Sequence, residues 1–427
     1  MSTPQLTMIA TRRLTALVLL VVMLGMLSCA PAPHPRSTPL THSAYVWRQG
    51  WNAESVAGLA DCGLPEKLSA LNVLVGECGL SSGRRAIRPP WKEISGHGRA
   101  ISLSVRIGTR KAIASQDDVD LSEGFGLLLS GLAEAKAADV EVKSLQIDFD
   151  CPERLLRAYA DEIKMLKTKS GGLPLTITTL PAWLDADGFD ELIKTTDGWT
   201  LQLHGTSRPK LGRDNRLFSA ELAETWTRRA MRFGRPFNVA VPTYAYLACF
   251  GKRGEYLGMR AEQSAFPAGT VRTLQLPADP AEVARFLGWL EDEACARVVG
   301  VDWFRLPLPG DRQNWTMKGL EEVIAGRMIT GQVDIITEQR GGLYDISVRN
   351  RSERPLPLPS LHIRWEQGDV VGADATYAWL MKPGRRSLTF AQHDVTELLG
   401  PEKAGSSAGS GSPPNNLLSP ISPNKLT

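Results

Sequence analysis

The sequence predicts an α/β fold, a (β/α)8 TIM barrel followed by a small C-terminal antiparallel β domain. Three observations lead there. Eight short apolar runs alternate with helical stretches, the pattern of parallel strands joined by crossovers. No glycine-rich phosphate loop follows the first run, which argues against a doubly wound nucleotide-binding sheet. After about residue 328 the pattern changes to the polar–apolar alternation of antiparallel strands. A chain of 427 residues suits one large barrel plus an accessory unit, and a hydrophobic content of 43% can build a substantial core.

The first thirty residues come first in the order of elements. Arg12 and Arg13 form a positive region, Leu14 to Leu27 form an apolar one, and Met26-Leu27-Ser28-Cys29 places a cysteine after a small residue. The apolar run is too short to span a bilayer comfortably. These residues resemble a bacterial lipobox, which implies cleavage before Cys29 and acylation of its thiol. Met26 stands where an aliphatic Leu is more usual, so cleavage as a plain secreted protein is the alternative. Residues 1–28 are read as the signal peptide and 29–42 as a Pro-rich tether. The expected location is lipid-anchored in the bacterial cell envelope. Ala30 follows the cysteine in place of the Asp associated with inner-membrane retention, which points to the outer membrane.

The barrel is expected over residues 43–328. Its eight runs are Ala44–Trp47, Ala70–Val75, Ile101–Ile107, Leu145–Asp150, Leu175–Leu180, Trp199–His204, Phe237–Val241 and Val298–Phe304. Helical stretches such as Pro152–Lys169 and Ser219–Arg232 separate them. Eight such units favour a closed barrel over an open sheet. Residues 329–396 then carry five alternating segments between Gly and Pro turns, predicting a small sandwich packed on the barrel. That unit reads either as a sugar-binding module using Trp365 or Trp379, or as a structural buttress. Residues 397–427, rich in Gly, Ser, Pro and Asn, are expected to be a disordered tail.

Composition excludes several functions. The net charge of +3 is small and no basic run breaks the balance, so nucleic acid is not an expected partner. The chain has only 6 His and no His-x-x-x-His spacing, so a catalytic zinc site is not expected, and no cofactor is expected. No Gly-x-Ser-x-Gly elbow marks a serine hydrolase. Apart from Cys29, an odd set of cysteines remains: Cys62, Cys78, Cys151, Cys249 and Cys295. The alternatives are a disulfide or metal site near the strand tops, or buried free thiols.

Barrel active sites sit at the C-terminal ends of the strands. The fourth run, Leu145-Gln146-Ile147-Asp148-Phe149-Asp150, alternates so that Gln146, Asp148 and Asp150 share the inward face. An inward carboxylate is costly unless hydrogen-bonded or neutral. Two of them, roughly 6–7 Å apart at the backbone, raise each other's tendency to hold a proton. That pattern yields an acid beside an ionised partner; the alternative is an Asp that merely caps loop amides.

The stretch Ile147-Asp148-Phe149-Asp150-Cys151-Pro152 resembles the fourth-strand signature Asp-x-x-Asp-x-Asp-x-Glu of chitinase-type (family 18) glycoside hydrolases. Asp148 matches the last Asp, Asp150 the catalytic Glu and Gln146 the middle Asp. The resemblance implies that Asp150 protonates a glycosidic oxygen and that Asp148 orients the substrate's acetamido group. Asp150 is one methylene shorter than Glu, and Gln146 cannot ionise. From about His42 to the end of the β unit, the chain also resembles the domain of unknown function 3142 family of uncharacterised bacterial lipoproteins. That resemblance rests on Ala44-Tyr45-Val46-Trp47-Arg48-Gln49, Phe149-Asp150-Cys151-Pro152, Leu180-Pro181-Ala182-Trp183-Leu184 and Phe304-Arg305-Leu306-Pro307. It supports the architecture and implies no activity.

Other strand ends offer substrate-binding groups. They are Trp47 and Arg48 on the first, Glu77 on the second, Trp183 after the fifth, and Gln202 and His204 on the sixth. Tyr244 and Tyr246 follow the seventh, and Asp302, Trp303 and Arg305 end the eighth. Aromatic faces with a few hydrogen-bonding groups suit a sugar ring. Glu77 and Asp302 are the candidates for a second carboxylate across the cleft. Two functions follow: a glycoside hydrolase-like enzyme acting on a glycan, or a non-catalytic glycan-binding or envelope scaffold protein.

Overall fold

The computed structural model describes residues 36–80, 83–108, 119–205, 207–261, 265–292, 295–341, 343–366, 369–375, 379–394, 398–401 and 417–424. The signal segment, Cys29 and most of the tether lie outside them. All eight barrel runs form strands: β1 (Thr41–Val46), β2 (Leu68–Leu80), β4 (Ala100–Ile107), β5 (Val142–Phe149), β6 (Leu175–Thr179), β7 (Gly198–Gln202), β8 (Phe237–Pro242) and β12 (Val298–Phe304). Each pairs in parallel with its neighbours in the order β1-β12-β8-β7-β6-β5-β4-β2, and pairing of β1 with β2 closes the ring. A short strand, β3 (Gly83–Ala86), lies antiparallel on the end of β2.

The outward residues of β5 show why the ring is stable. Leu145 and Ile147 are fully buried and Phe149 nearly so, all against the helical layer. That layer comprises α1 (Ala53–Asp61), α2 (Trp91–Gly96), α3 (Ser122–Ala137), α4 (Leu156–Lys167), α5 (Phe189–Thr195), α6 (Ala220–Met231), α7 (Pro280–Leu290) and α8 (Met317–Ile324). α4 buries Leu156, Tyr159, Ala160, Ile163 and Leu166, three or four residues apart, which is one face of a helix. Side-chain caps start several helices: Asn52 and Ser55 cap each other at α1, Ser219 caps α6, and Asp279 with Pro280 opens α7. At the top of β2, Gly79 has φ +67°, and a Cβ there would lie 2.1 Å from the Gly108 carbonyl oxygen. Only glycine lets the ends of β2 and β4 approach this closely.

One element lies outside the sequence expectation. Between β8 and α7 the chain forms a three-stranded antiparallel sheet, β9 (Ala245–Phe250), β10 (Tyr256–Arg260) and β11 (Arg272–Pro277), in the order β10-β9-β11. The stretch lacks a sharp polar–apolar alternation because β9 is buried along its whole length, so its period is not readable.

The C-terminal unit holds β13 (Val333–Arg340), β14 (Leu343–Asn350), β15 (Leu361–Arg364), β16 (Asp369–Gly372), β17 (Trp379–Gly384), β18 (Ser387–Gln392) and β19 (Leu417–Asn424). They form two sheets, β13-β14-β19-β16 and β15-β18-β17. Ile346 and Val348 of the first sheet share a core with Leu361, Trp379, Leu388 and Phe390 of the second. Trp379 is buried, and its Nε1 donates to the Pro359 carbonyl at 3.0 Å. It therefore holds the sandwich together and presents no face to a sugar. The unit rests on the barrel insert: Leu398 packs on Ala245 and Leu247, and the Thr273 amide donates to the Asp394 carbonyl at 2.8 Å. Leu398, Leu399 and β19 fall within the stretch expected to be disordered from residue 397. Completing a sheet needs only backbone donors and acceptors, which composition does not report.

Candidate active site

β5 carries a ladder of polar side chains up the barrel axis. One rung is Gln146, whose buried Oε1 accepts from the Tyr45 hydroxyl at 2.8 Å and from the Ser104 hydroxyl at 3.2 Å. Above it Asp148 accepts from the Thr178 hydroxyl at 2.6 Å. Asp150 follows the strand end and is exposed at the rim. Arg106 on β4 is the register partner of Asp148. Burial lifts the Asp148 carboxyl to about 6, helped by the charge of Asp150 and more weakly by Glu77; the Thr178 bond and Arg106 oppose the rise. Asp150 is also raised, by the protein walls of the mouth, with Arg106 opposing. Chemically, the pair offers one solvent-accessible carboxyl and one recessed behind it, both biased toward holding a proton.

The two candidates for a second carboxylate differ from this pair. Asp302 is 1% exposed, and its oxygens accept from Ser43 at 2.5 Å, Thr200 at 2.8 Å and Asn238 at 3.1 Å. It is a satisfied interior group, covered because the next inward residue of β12, Phe304, lies above it. Glu77 is fully buried; Oε1 accepts from the Gln49 side chain at 3.1 Å, and Oε2 has no partner among the described residues. Neither faces Asp150 across an open cleft.

The remaining groups divide between the mouth and the core. At the mouth, Phe304 contacts Trp47 at 5.3 Å and Tyr45 at 5.5 Å between ring centroids, and stacks on His204 at 5.2 Å. His204 is buried, and desolvation lowers its pKa to about 3, so the ring is neutral and is not a base waiting for a proton at ordinary pH. The Tyr244 hydroxyl meets His204 Nδ1 at 3.4 Å, and Gln202 donates to the His204 carbonyl at 3.2 Å. Tyr246 lies on β9 in the insert, stacked near Tyr244 at 6.3 Å, with burial pushing its hydroxyl up to about 12. Arg48 and Arg305 both approach Asp311, at 2.9 and 3.6 Å.

Trp183 and Trp303 belong to the core. Trp183 is 1% exposed, edge-on to Tyr159 beneath the helical layer, and Trp303 is fully buried with its Nε1 bonded to His42 at 3.1 Å. A strand-end position brings a residue near the mouth, but pleating turned Trp303 outward while Asp302 turned in. All five described cysteines are free and buried, which removes the disulfide reading. Burial raises the Cys151 thiol to about 12 and those of Cys62, Cys78 and Cys295 to about 11, so they stay protonated.

Three residues of this mouth are not among the functional residues expected from the sequence: Arg106, Phe304 and Tyr45, though one of them carries a signal. Arg106 had a readable one, a lone cation inside an apolar strand run, one residue from its end.

With the geometry in place, comparison with known proteins adds a family. Residues 98–309 match the model described as Domain of unknown function (DUF3142). The DUF3142 segment runs from just before β4 to just past β12, so it includes Arg106, Asp148, Asp150, His204, Tyr244 and Arg305 but not Trp47, Arg48 or Glu77. No curated protein matches the chain significantly. Among solved structures, the spore cortex-lytic enzyme SleL of Bacillus cereus is similar at 12% identity and a TM-score of 0.47, over 70% of this chain and 76% of that one. A chitinase from Bacteroides thetaiotaomicron is similar at 12% identity and a TM-score of 0.43, over 63% and 90%. The GH18 chitinase ChiB of Flavobacterium johnsoniae is similar at 11% identity and a TM-score of 0.40, over 67% and 94%. The barrel assignment rests on strand order and register, not on these likenesses.

Proposed function

We propose that this chain acts on a glycan at the C-terminal face of its barrel, with Asp150 as general acid and Asp148 as the partner that orients substrate or carries charge. The observation that carries the proposal is the pairing on β5. Asp148 is recessed, bonded to Thr178 and lifted to about 6, and Asp150 stands in front of it open to solvent. Burial raises both carboxyls, and only the accessible member, Asp150, can reach a leaving oxygen to give it a proton. Trp47, Phe304 and Tyr244 supply aromatic faces across the ring from it. We further propose that Cys29 carries a lipid anchor, so that the chemistry takes place at the cell envelope, facing the periplasm or the exterior.

A second reading, glycan binding without cleavage, is favoured by one specific observation. Asp302 is consumed by its own hydrogen bonds and Glu77 is fully buried, so neither of these two candidates offers an accessible carboxylate opposite Asp150. Turnover on a panel of chromogenic α- and β-glycosides and polymeric glycans separates the two, comparing wild type with Asp150→Asn. The expected result is cleavage by wild type and a loss of roughly 100- to 1,000-fold in the variant with binding retained. Binding without any cleavage establishes the scaffold reading. Cleavage that survives the substitution removes Asp150 from the acid role.

A further inference from the structure

Round the barrel rim from the carboxylates, the mouth holds a cation that the protein does not fully use. Arg48, just past β1, is 8% exposed, and its Nη2 donates to Asp311 at 2.9 Å. Asp311 is itself fixed, accepting from the Leu308 amide at 3.1 Å and the Asn314 side chain at 3.4 Å. Arg48 Nε is buried with no acceptor, and the Nη2 bond is its one described hydrogen bond. A guanidinium has five N–H donors; here one is bonded to Asp311, the buried Nε–H has no acceptor, and the Trp51 ring lies 5.9 Å from the group.

Arg48 also lines a small open cavity of about 40 Å³, with Asn52, Glu54, Ser55, Pro309 and Gly310. Asn52 and Ser55 form the N-terminal cap of α1, a nine-residue helix whose first turn therefore faces the cavity. The helix end adds positive potential to that of the guanidinium. Glu54 limits the charge the cavity accepts, because its carboxylate lies in the same wall and opposes a dianion. The cavity is small and open on one side, room for one planar acidic group carried on a larger ligand.

We infer that this cavity is a subsite for the carboxylate of an acidic glycan, with Arg48 as its binding residue and Asp311 as the residue that positions Arg48. The inference rests on the proposed glycan reading and narrows it to substrates that carry uronic acid or another carboxylated sugar. β1 and β5 are three strand spacings apart in the ring order β1-β2-β4-β5, about 14 Å along the sheet. The anchored sugar and the bond presented to Asp150 therefore belong to different units of the chain.

Calorimetric titration of the full chain tests this with three probes. They are a tetrasaccharide alternating N-acetylglucosamine and glucuronate, its methyl ester, and a neutral N-acetylglucosamine tetramer. The acid is expected to bind about tenfold or more tightly than its ester, in line with a charge-assisted bond to a desolvated guanidinium. Arg48→Gln is expected to erase that preference. Because Arg48→Gln also breaks the tie to Asp311, Pro309→Asp serves as the second variant. It adds a carboxylate to an exposed part of the wall, leaves Arg48 and Asp311 in place, and is expected to erase the preference too. Equal binding of acid and ester, or a preference that survives both variants, overturns the subsite. Binding of the neutral tetramer alone also overturns it while leaving the glycan reading intact. Binding of none of the three overturns both.

Discussion

Asp148 with Asp150 on β5 and Asp302 on β12 are the same residue type, reached by the same inward alternation, yet they do opposite work. Asp302 sits one layer down, and its two oxygens take three side-chain donors from β1, β7 and β8. Asp148 has a single described bond, and Asp150 stands at the rim with solvent in front of it. Burial raises all three carboxyls, but only around Asp302 do hydrogen bonds to the charged form act from every side. The comparison teaches that depth along the strand, two residues either way, separates a structural carboxylate from a chemical one. Groups satisfied by the protein hold the barrel together; groups left partly unsatisfied remain for a substrate.

The contrast can be broken most directly at Asp302. Asp302→Ala strands the Ser43, Thr200 and Asn238 donors in the interior, and a loss of about 3 kcal/mol or more is expected in denaturant unfolding. A loss below about 1 kcal/mol would show that Asp302 is not the interior tie described. Asp148→Asn is expected to act in the other direction. The folded state holds the Asp148 proton more tightly than the unfolded chain does, so the native carboxyl costs stability as pH rises from the ordinary Asp range through about 6. The variant is then expected to be more stable than wild type by on the order of 2 kcal/mol at pH 8, with the difference closing by pH 4. A pH-independent difference would mean that Asp148 titrates normally. The smallest effect belongs to Asp150→Asn, expected to change stability by no more than about 0.5 kcal/mol, since the group is at the rim. A large destabilisation there would make Asp150 a loop cap and move it to the structural side of the comparison.

Much of the fold was legible, and the reason is periodicity. Each barrel strand is buried on both faces, so it reads as a short apolar run, and Val298–Phe304 matches its strand residue for residue. The polar face of β5 was equally clear, because Gln146, Asp148 and Asp150 interrupt an apolar strand at every second position. The insert β9–β11 was not, since β9 is buried throughout and looks like any other apolar run. The places of Trp183 and Trp303 near strand ends suggest ligand platforms, but both are closed inside the helical layer. Arg106 stands out as a lone cation in an apolar run, but its place beside Asp148 is not readable, because that partner lies 42 residues away on the neighbouring strand.

The sequence by itself determined the local chemistry: which segments are strands or helices, where strand alternation puts carboxylates inward, and that a small β unit follows the barrel. These depend on spacing along the chain, which the sequence records directly. Only the tertiary structure decided which inward carboxyl is satisfied, which tryptophans are covered, and that Arg48, Asp311 and the start of α1 enclose one cavity. Those outcomes depend on what adjacent strands and loops place around each side chain. Desolvation and hydrogen bonding act across that space, between residues as far apart as Arg48 and Asp311, and no spacing in the sequence encodes it.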